Sequence, residues 1–193
     1  MMLFFDTETS GKYHFNLPCS DPSQPRIMQI AFLLVDRNKQ TIMTYSSLIK
    51  YPRSYPVDPD AQKIHGISFD QCQTCGVSCK CVADILREIE PRINTICAHN
   101  LNFDEHLLMA FCDQLNTDYI FSQKRRYCTM EASTDILKLP GKIEGKYKWP
   151  KLQEVYKYFT GHEMAESHNA LSDVQACKEI YFYMIDPARR RRR

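Results

Sequence analysis

Residues 2–11 read MLFFDTETSG. Four apolar side chains, Met2, Leu3, Phe4 and Phe5, run directly into two carboxylates, Asp6 and Glu8, that are separated by a single threonine. An apolar run this short, ending at a Ser-Gly turn, reads as a buried strand, and on a strand residues two apart project from the same face. Asp6 and Glu8 therefore point the same way at the end of a core strand. Two like charges held side by side repel and are costly to desolvate. A divalent cation is the simplest compensation.

Outward from this strand, a loop rich in Pro, Ser and Asn (14–25) leads to PRIMQIAFLLVD and TIMTYSSLIKY, two further strands joined by the polar turn DRNKQ. The three strands make a meander. YPRSYPVDPD is a proline-rich connection, and DAQKIHGIS reads as one short helix stopped by Gly66. CKCVADILREIE has helical spacing at Val82, Ile85, Leu86 and Ile89, with Pro91 after its end. NTICAH is a short strand feeding FDEHLLMAFCDQL, whose apolar residues Phe103, Leu107, Leu108 and Phe111 recur at three and four. TMEASTDILK and KLQEVYKYF are helical and flank the Gly/Lys-rich connection LPGKIEGKYKWP; the last helix is ALSDVQACKEIYFYMI. Strands first and then strands alternating with helices predict an α/β fold, a mixed sheet with helices packed on it. No boundary precedes the tail, so residues 1–188 are expected to form one domain. The strand-end carboxylates would lie where open α/β sheets place ligands.

Length and composition suit a soluble globular chain: 193 residues, 44% apolar and 25% charged. Nothing basic precedes the short apolar start, and the longest apolar run, IAFLLV at 30–35, cannot span a bilayer. The expected location is intracellular, cytoplasmic, or nuclear if the tail is an address. Of 25 basic residues the last five are Arg189–Arg193, which leaves the body with three more acids than bases. Such a tail fits nucleic acid or a nuclear address as well as a solvated terminus. Nine cysteines, an odd number in a chain of this size, read as reduced thiols.

Two later segments share the character of the first. AHNLNFDEH puts Asp104 after a strand at the start of a helix, and SHNALSDVQAC puts His168 just before the last helix and Asp173 in its first turns. Asp173 shares a face with Ala176, Cys177 and Ile180, an apolar setting unusual for an unpartnered charge. Taken singly, Asp104 and Glu105 would favour a helix N-terminus, Asn102 with Glu105 would form a capping box, and His168 would be a loop histidine. Taken together, four carboxylates and a histidine each stand at the edge of a core element. Hard carboxylate oxygens suit Mg²⁺ or Mn²⁺ rather than zinc. Two such ions about 4 Å apart can activate a water and stabilise the leaving oxygen of a phosphodiester. A neutral histidine can take the proton from that water.

FDTETSG, HNLNFD and HNALSD resemble, in order and separation, the three motifs of the DEDDh 3′-to-5′ exonucleases, the DnaQ-like group of the RNase H-like superfamily that includes proofreading subunits, RNase T, oligoribonuclease and the three-prime repair exonucleases. The match runs from roughly residue 2 to 186, with PRIMQIA, IHGIS and KWPKLQEVYKYFTG as supporting stretches. The resemblance implies an RNase H-like fold, an antiparallel three-strand meander plus parallel strands. It implies two Mg²⁺ or Mn²⁺ ions on Asp6, Glu8, Asp104 and Asp173, with Asp6 bridging them and His168 as general base. It also implies contacts to the 3′-terminal nucleotide from the backbone around Thr7, the Thr9 hydroxyl, Asn100 and Phe103. Ser10 stands where relatives often have Thr. The long proline-rich insertion of some repair exonucleases is missing, so their partner contacts do not carry over.

The expected activity is metal-dependent release of nucleoside 5′-monophosphates from 3′ ends, with single-stranded DNA preferred. RNA 3′-end trimming is the alternative, and a non-catalytic nucleic-acid-binding subunit is the reading from another class; a polymerase or second copy stays open as partner. Six lysines between Lys138 and Lys157, opposed by Glu144 and Glu154, fit either phosphate contact or a solvated face. Cys72, Cys75, Cys79 and Cys81 invite a zinc site. If Ser78 caps the following helix, however, Cys79 and Cys81 diverge by about 200° around it, which suits one tetrahedral ion poorly. His65 is expected to fix a turn, and Trp149, the only tryptophan, to anchor packing rather than to serve as a base-stacking platform.

Overall fold

The computed structural model describes residues 1–164 and 168–186. The arginine tail, 189–193, lies outside the described residues. β1 (Met2–Thr9) stands inside a six-stranded sheet of order β4-β3-β2-β1-β5-β6. β2 (Ile27–Val35) and β3 (Thr41–Lys50) complete the antiparallel meander. β5 (Thr95–Ala98) and β6 (Arg125–Cys128) add parallel strands beyond β1, and the two-residue β4 (Val77–Ser78) pairs in parallel with β3. This is the mixed sheet of the RNase H-like fold.

β2 is buried almost throughout, as a strand covered on both faces must be, whereas β3 alternates and keeps one face toward water. Asp36 closes the turn between them by accepting from the N–H groups of Asn38 and Gln40, each at 2.9 Å.

Seven helices cover the sheet among the described residues. α1 (Pro59–His65) starts on the Asp58 side chain and stops where Gly66 takes φ 72°, as its sequence predicts. α2 (Phe69–Cys75) has no counterpart in the periodicity reading because its seven residues are too few to repeat. It rests on a capping box between Ser68 and Gln71. α3 (Cys79–Ile89) is capped by Ser78 as expected. α4 (Leu101–Gln114), α5 (Thr129–Leu137), α6 (Leu152–Thr160) and α7 (Ala170–Ile185) follow. No described helix is long and apolar enough to cross a membrane.

The strand period divides the core in two. Leu3, Phe5, Ile30, Phe32 and Leu34 pack on the face covered by α3 and α4, with Val82, Leu86 and Leu108. Phe4, Ala31, Leu33 and Cys97 pack on the opposite face against Val174, Cys177 and Phe182 of α7. Continued one turn of the pleat, this alternation sends Asp6 and Glu8 toward α7 and Thr7 toward α4.

Three expectations need correction. Trp149 is no packing anchor: it is 68% exposed, in a connection whose residues 142–149 all face solvent. Asn102 and Glu105 form no capping box. α4 begins two residues earlier, on Asn100, and Glu105 is buried, accepting from Arg126 and, at 3.0 Å, from the Tyr119 hydroxyl. β6, unassigned in the sequence reading, is a four-residue strand whose arginines hide its period.

The cysteine cluster is spread over two helices. Cys72 is buried with its thiol toward the Met28 carbonyl, and burial pushes it up to about 11. The Cys79 thiol meets the Lys50 carbonyl at 3.2 Å, and Cys75 and Cys81 are exposed.

Candidate active site

The site is assembled at the end of β1 from three directions. Parallel pairing of β1 with β5 ends at Phe4 and Cys97, so Asp6 stands beyond the last paired rung. There β5 ends, and Asn100, in the left-handed conformation (φ 72°), turns the chain into α4. The first turn of α4 then carries Asp104 back to β1. Its Oδ1 accepts from both the backbone N–H of Thr7, at 3.1 Å, and the Thr7 hydroxyl, at 2.7 Å. One threonine between two acids on the other face thus clamps a third acid 97 residues away.

α7 delivers the last pair. Asn169 caps it, accepting from the Leu171 N–H at 3.0 Å, and the Ala170 N–H donates to Gln29 Oε1 at 3.2 Å; Gln29 is the β2 partner of Glu8. His168 precedes the cap in a left-handed conformation, φ 63°, and its backbone N–H donates to Asp173 Oδ2 at 3.2 Å. Glu8, His168 and Asp173 each place one ligand atom within 4.8 Å of the others. The second oxygen of Asp173, Oδ1, is buried without a hydrogen-bond partner.

Electrostatics mark the cluster as unfinished. Burial, then the charges of Asp104, Asp173 and Glu8, push Asp6 well above the usual carboxylate range. Burial, with Asp173 and Asp104 behind it, raises Glu8 to about 8. Burial raises Asp104 to about 7 against the two bonds from Thr7, and Asp173 to about 6 against the His168 N–H. Among the described residues no lysine or arginine pairs with any of the four. A clustered, desolvated set of hard oxygens with an orphaned carboxylate oxygen is what a divalent cation would complete.

The folded chain therefore holds these protons more tightly than the unfolded chain, whose carboxyls titrate near 4. Without metal, stability contributed by the site should fall as pH rises from about 4 through about 8, where Glu8 titrates, with Asp6, also well raised, adding to the fall. In chelator the melting temperature should be higher near pH 5.5 than near pH 8, and Mg²⁺ should raise it more at pH 8. An equal Mg²⁺ effect at both values would contradict this.

Beside the acids lies a cavity of about 440 Å³ whose walls include Thr7, Thr9, Lys12, Ile64, His65 and Phe103. It gathers three of the four expected nucleotide contacts; Asn100 is not among its lining residues. The Thr9 hydroxyl donates to the Gly11 carbonyl at 2.7 Å, leaving its lone pairs as acceptors. A larger cavity of about 870 Å³, beyond Gly11 and Lys12, contains none of the four acids.

Two histidines brace this end of the sheet. His65 Nδ1 accepts from the Ile67 N–H at 3.0 Å and its Nε2 meets the Thr9 carbonyl at 3.1 Å, so the ring fixes the Gly66 turn and also holds β1. His99, which the sequence reading passed over, lies between the Thr129 hydroxyl at Nδ1, 2.9 Å, and the Pro150 carbonyl at Nε2, 3.0 Å. Burial pulls its pKa down to about 4. Its only signal in the sequence is its place directly after a core strand.

The sequence matches the model of an exonuclease family, RNase T, over residues 3–181. No curated protein matches. Among solved structures, Escherichia coli exonuclease I in complex with a dT13 oligonucleotide superposes with a TM-score of 0.78 at 20% identity, over 98% of this chain and 42% of that one. The same protein with a dA16 oligonucleotide gives 0.73 at 20%, over 94% and 40%. Its zinc-bound complex with single-stranded DNA gives 0.76 at 20%, over 97% and 41%. The chain spans about two fifths of the length of these structures.

Proposed function

Because the chain belongs to the RNase T family of exonucleases, we propose that it is a metal-dependent 3′-to-5′ exonuclease that removes nucleoside 5′-monophosphates from single-stranded DNA. The observation that carries this reading is the convergence of Glu8, His168 and Asp173 on one point, with Asp6 and Asp104 beside them raised by burial and then by the neighbouring carboxylates.

Asp6, Glu8, Asp104 and Asp173 would hold two Mg²⁺ or Mn²⁺ ions, whose donor preference their oxygens match. When bound, the ions screen the charge of the scissile phosphate and make water acidic enough to lose a proton near neutral pH. His168, exposed at the mouth of the cluster, takes that proton. The water oxygen then bonds to phosphorus, the bond to the 3′-oxygen of the upstream nucleotide breaks, and that oxygen takes a proton from solvent water and leaves as a hydroxyl. Thr7 keeps Asp104 aimed at the reacting phosphate. The terminal nucleotide sits in the 440 Å³ cavity, its base against the apolar walls Ile64 and Phe103. A base held by stacking is gripped whatever its identity.

Single-stranded DNA of one sequence and the matching RNA, labelled at the 5′ or the 3′ end and incubated with Mg²⁺, Mn²⁺ or EDTA, test this reading. Stepwise shortening from the 3′ end, dependent on metal and faster for DNA, is expected. Faster loss of RNA would transfer the activity to RNA end-trimming. Binding without cleavage under any metal would leave a nucleic-acid-binding subunit.

A further inference from the structure

The connection between α5 and α6 is ordered as a finger. The Gly141 N–H donates to the Lys146 carbonyl at 2.9 Å, the Lys148 N–H to the Leu139 carbonyl at 3.0 Å, and Pro140 bridges Tyr147 in antiparallel fashion. Gly145, at φ 75°, makes the tip, and a Cβ on Gly141 would lie 2.5 Å from the Lys146 carbonyl oxygen, so the two arms meet only because residue 141 is glycine. This braced finger exposes three large apolar side chains: Trp149 at 68%, Ile143 at 62% and Tyr147 at 44%. It also carries Lys138, Lys142, Lys146 and Lys151, which form no ion pair among the described residues, whereas Lys148 is taken by Glu154 at 2.5 Å. Exposed aromatics interleaved with unpaired cations on a backbone-bonded loop have the make-up of a surface for single-stranded nucleic acid.

The base of the finger is tied to the acidic cluster. Pro150, beside Trp149, gives its carbonyl to His99, and His99 adjoins the Asn100 turn that positions Asp104. The two flanks of the cluster are built by different ends of the sheet. The cavity for the terminal nucleotide draws on residues 58–65, which follow β3, whereas the finger follows β6, and β1 lies between them. Cavity and finger thus stand on opposite sides of β1, which places the finger on the side left free once a 3′ end occupies the cavity.

We propose that the finger 138–151 grips the single strand on the 5′ side of the scissile phosphate, Trp149 stacking on a base and the unpaired lysines meeting phosphates. This rests on the exonuclease reading and deepens it, since it makes substrate length a determinant of binding.

Trp149 is the only tryptophan, so its fluorescence reports on this contact alone. A dye-labelled, phosphorothioate-linked dT12 that resists hydrolysis should quench it in step with the rise in dye anisotropy, and dT2 should not. Trp149→Ala should weaken dT12 binding roughly five- to a hundredfold and shrink the preference for dT12 over dT2. Trp149→Tyr should restore most of the loss. Lys142→Gln with Lys146→Gln should reduce the slope of log affinity against log salt by about 0.7 for each phosphate contact removed. Binding of dT12 that leaves tryptophan emission unchanged, or equal affinity in Trp149→Ala, would overturn the grip while leaving the exonuclease assignment intact. Failure of the wild-type chain both to bind and to cleave dT12 would remove both.

Discussion

Asp6→Ala should abolish exonuclease turnover, a loss of at least about 10³-fold, while the chain still folds and binds a single strand. Asp6 feels every other acid of the site: burial first, and then the charges of Asp104, Asp173 and Glu8, push its carboxylate up. In the proposed reading Asp6 is the donor shared by both ions, so its removal would take a ligand from each. Ions in a two-metal site contribute several kcal/mol of charge stabilisation, and each 1.36 kcal/mol is a factor of ten. Stability should not suffer in the metal-free protein, because deleting one member of a repelling, desolvated group relieves its neighbours. The measurement is single-turnover hydrolysis of dT12 in Mg²⁺, paired with a melting curve in EDTA. A folded Asp6→Ala protein with wild-type turnover would remove the carboxylates from the chemistry.

His168→Ala should lower turnover by about 10² to 10⁴-fold, the range a general base contributes, with little change in Mg²⁺ affinity. The bond that His168 makes to Asp173 comes from its backbone N–H, which alanine retains. The left-handed backbone at φ 63° is strained for alanine as it is for histidine, so the turn stays in place under the Asn169 cap. What alanine lacks is the imidazole. A general base couples turnover to pH, so the pH profile of the variant should differ from that of the wild type. Added imidazole should restore part of the rate in His168→Ala and none in Asp6→Ala. A pH profile unchanged by the substitution would place His168 in a purely structural role.

Much of this site can be read before folding. Asp6 and Glu8 are a pair by the period of a strand alone, and the left-handed Gly66 stop and the Ser78 cap are local chemistry. Other features are long-range and leave little local trace. Asp104 looks like any acid favouring a helix start, yet it is clamped by Thr7, 97 residues earlier. Glu105 looks equally ordinary and is buried on Arg126 and Tyr119. His99 is one histidine among six, and only the approach of Pro150 gives it a task. Trp149 was expected inside because a lone large aromatic usually is; the finger's own backbone bonds hold it in water instead.

By itself the sequence determined most of the elements, their order and which acids are candidates, because hydrophobic period, caps and motif spacing are properties of neighbours along the chain; it missed α2 and β6, which are too short to show a period. The tertiary structure alone decided that the acids meet, which side chains clamp them and which aromatic stays exposed. Those outcomes depend on β1 lying between β2 and β5, an arrangement set by burying both faces of one sheet at once.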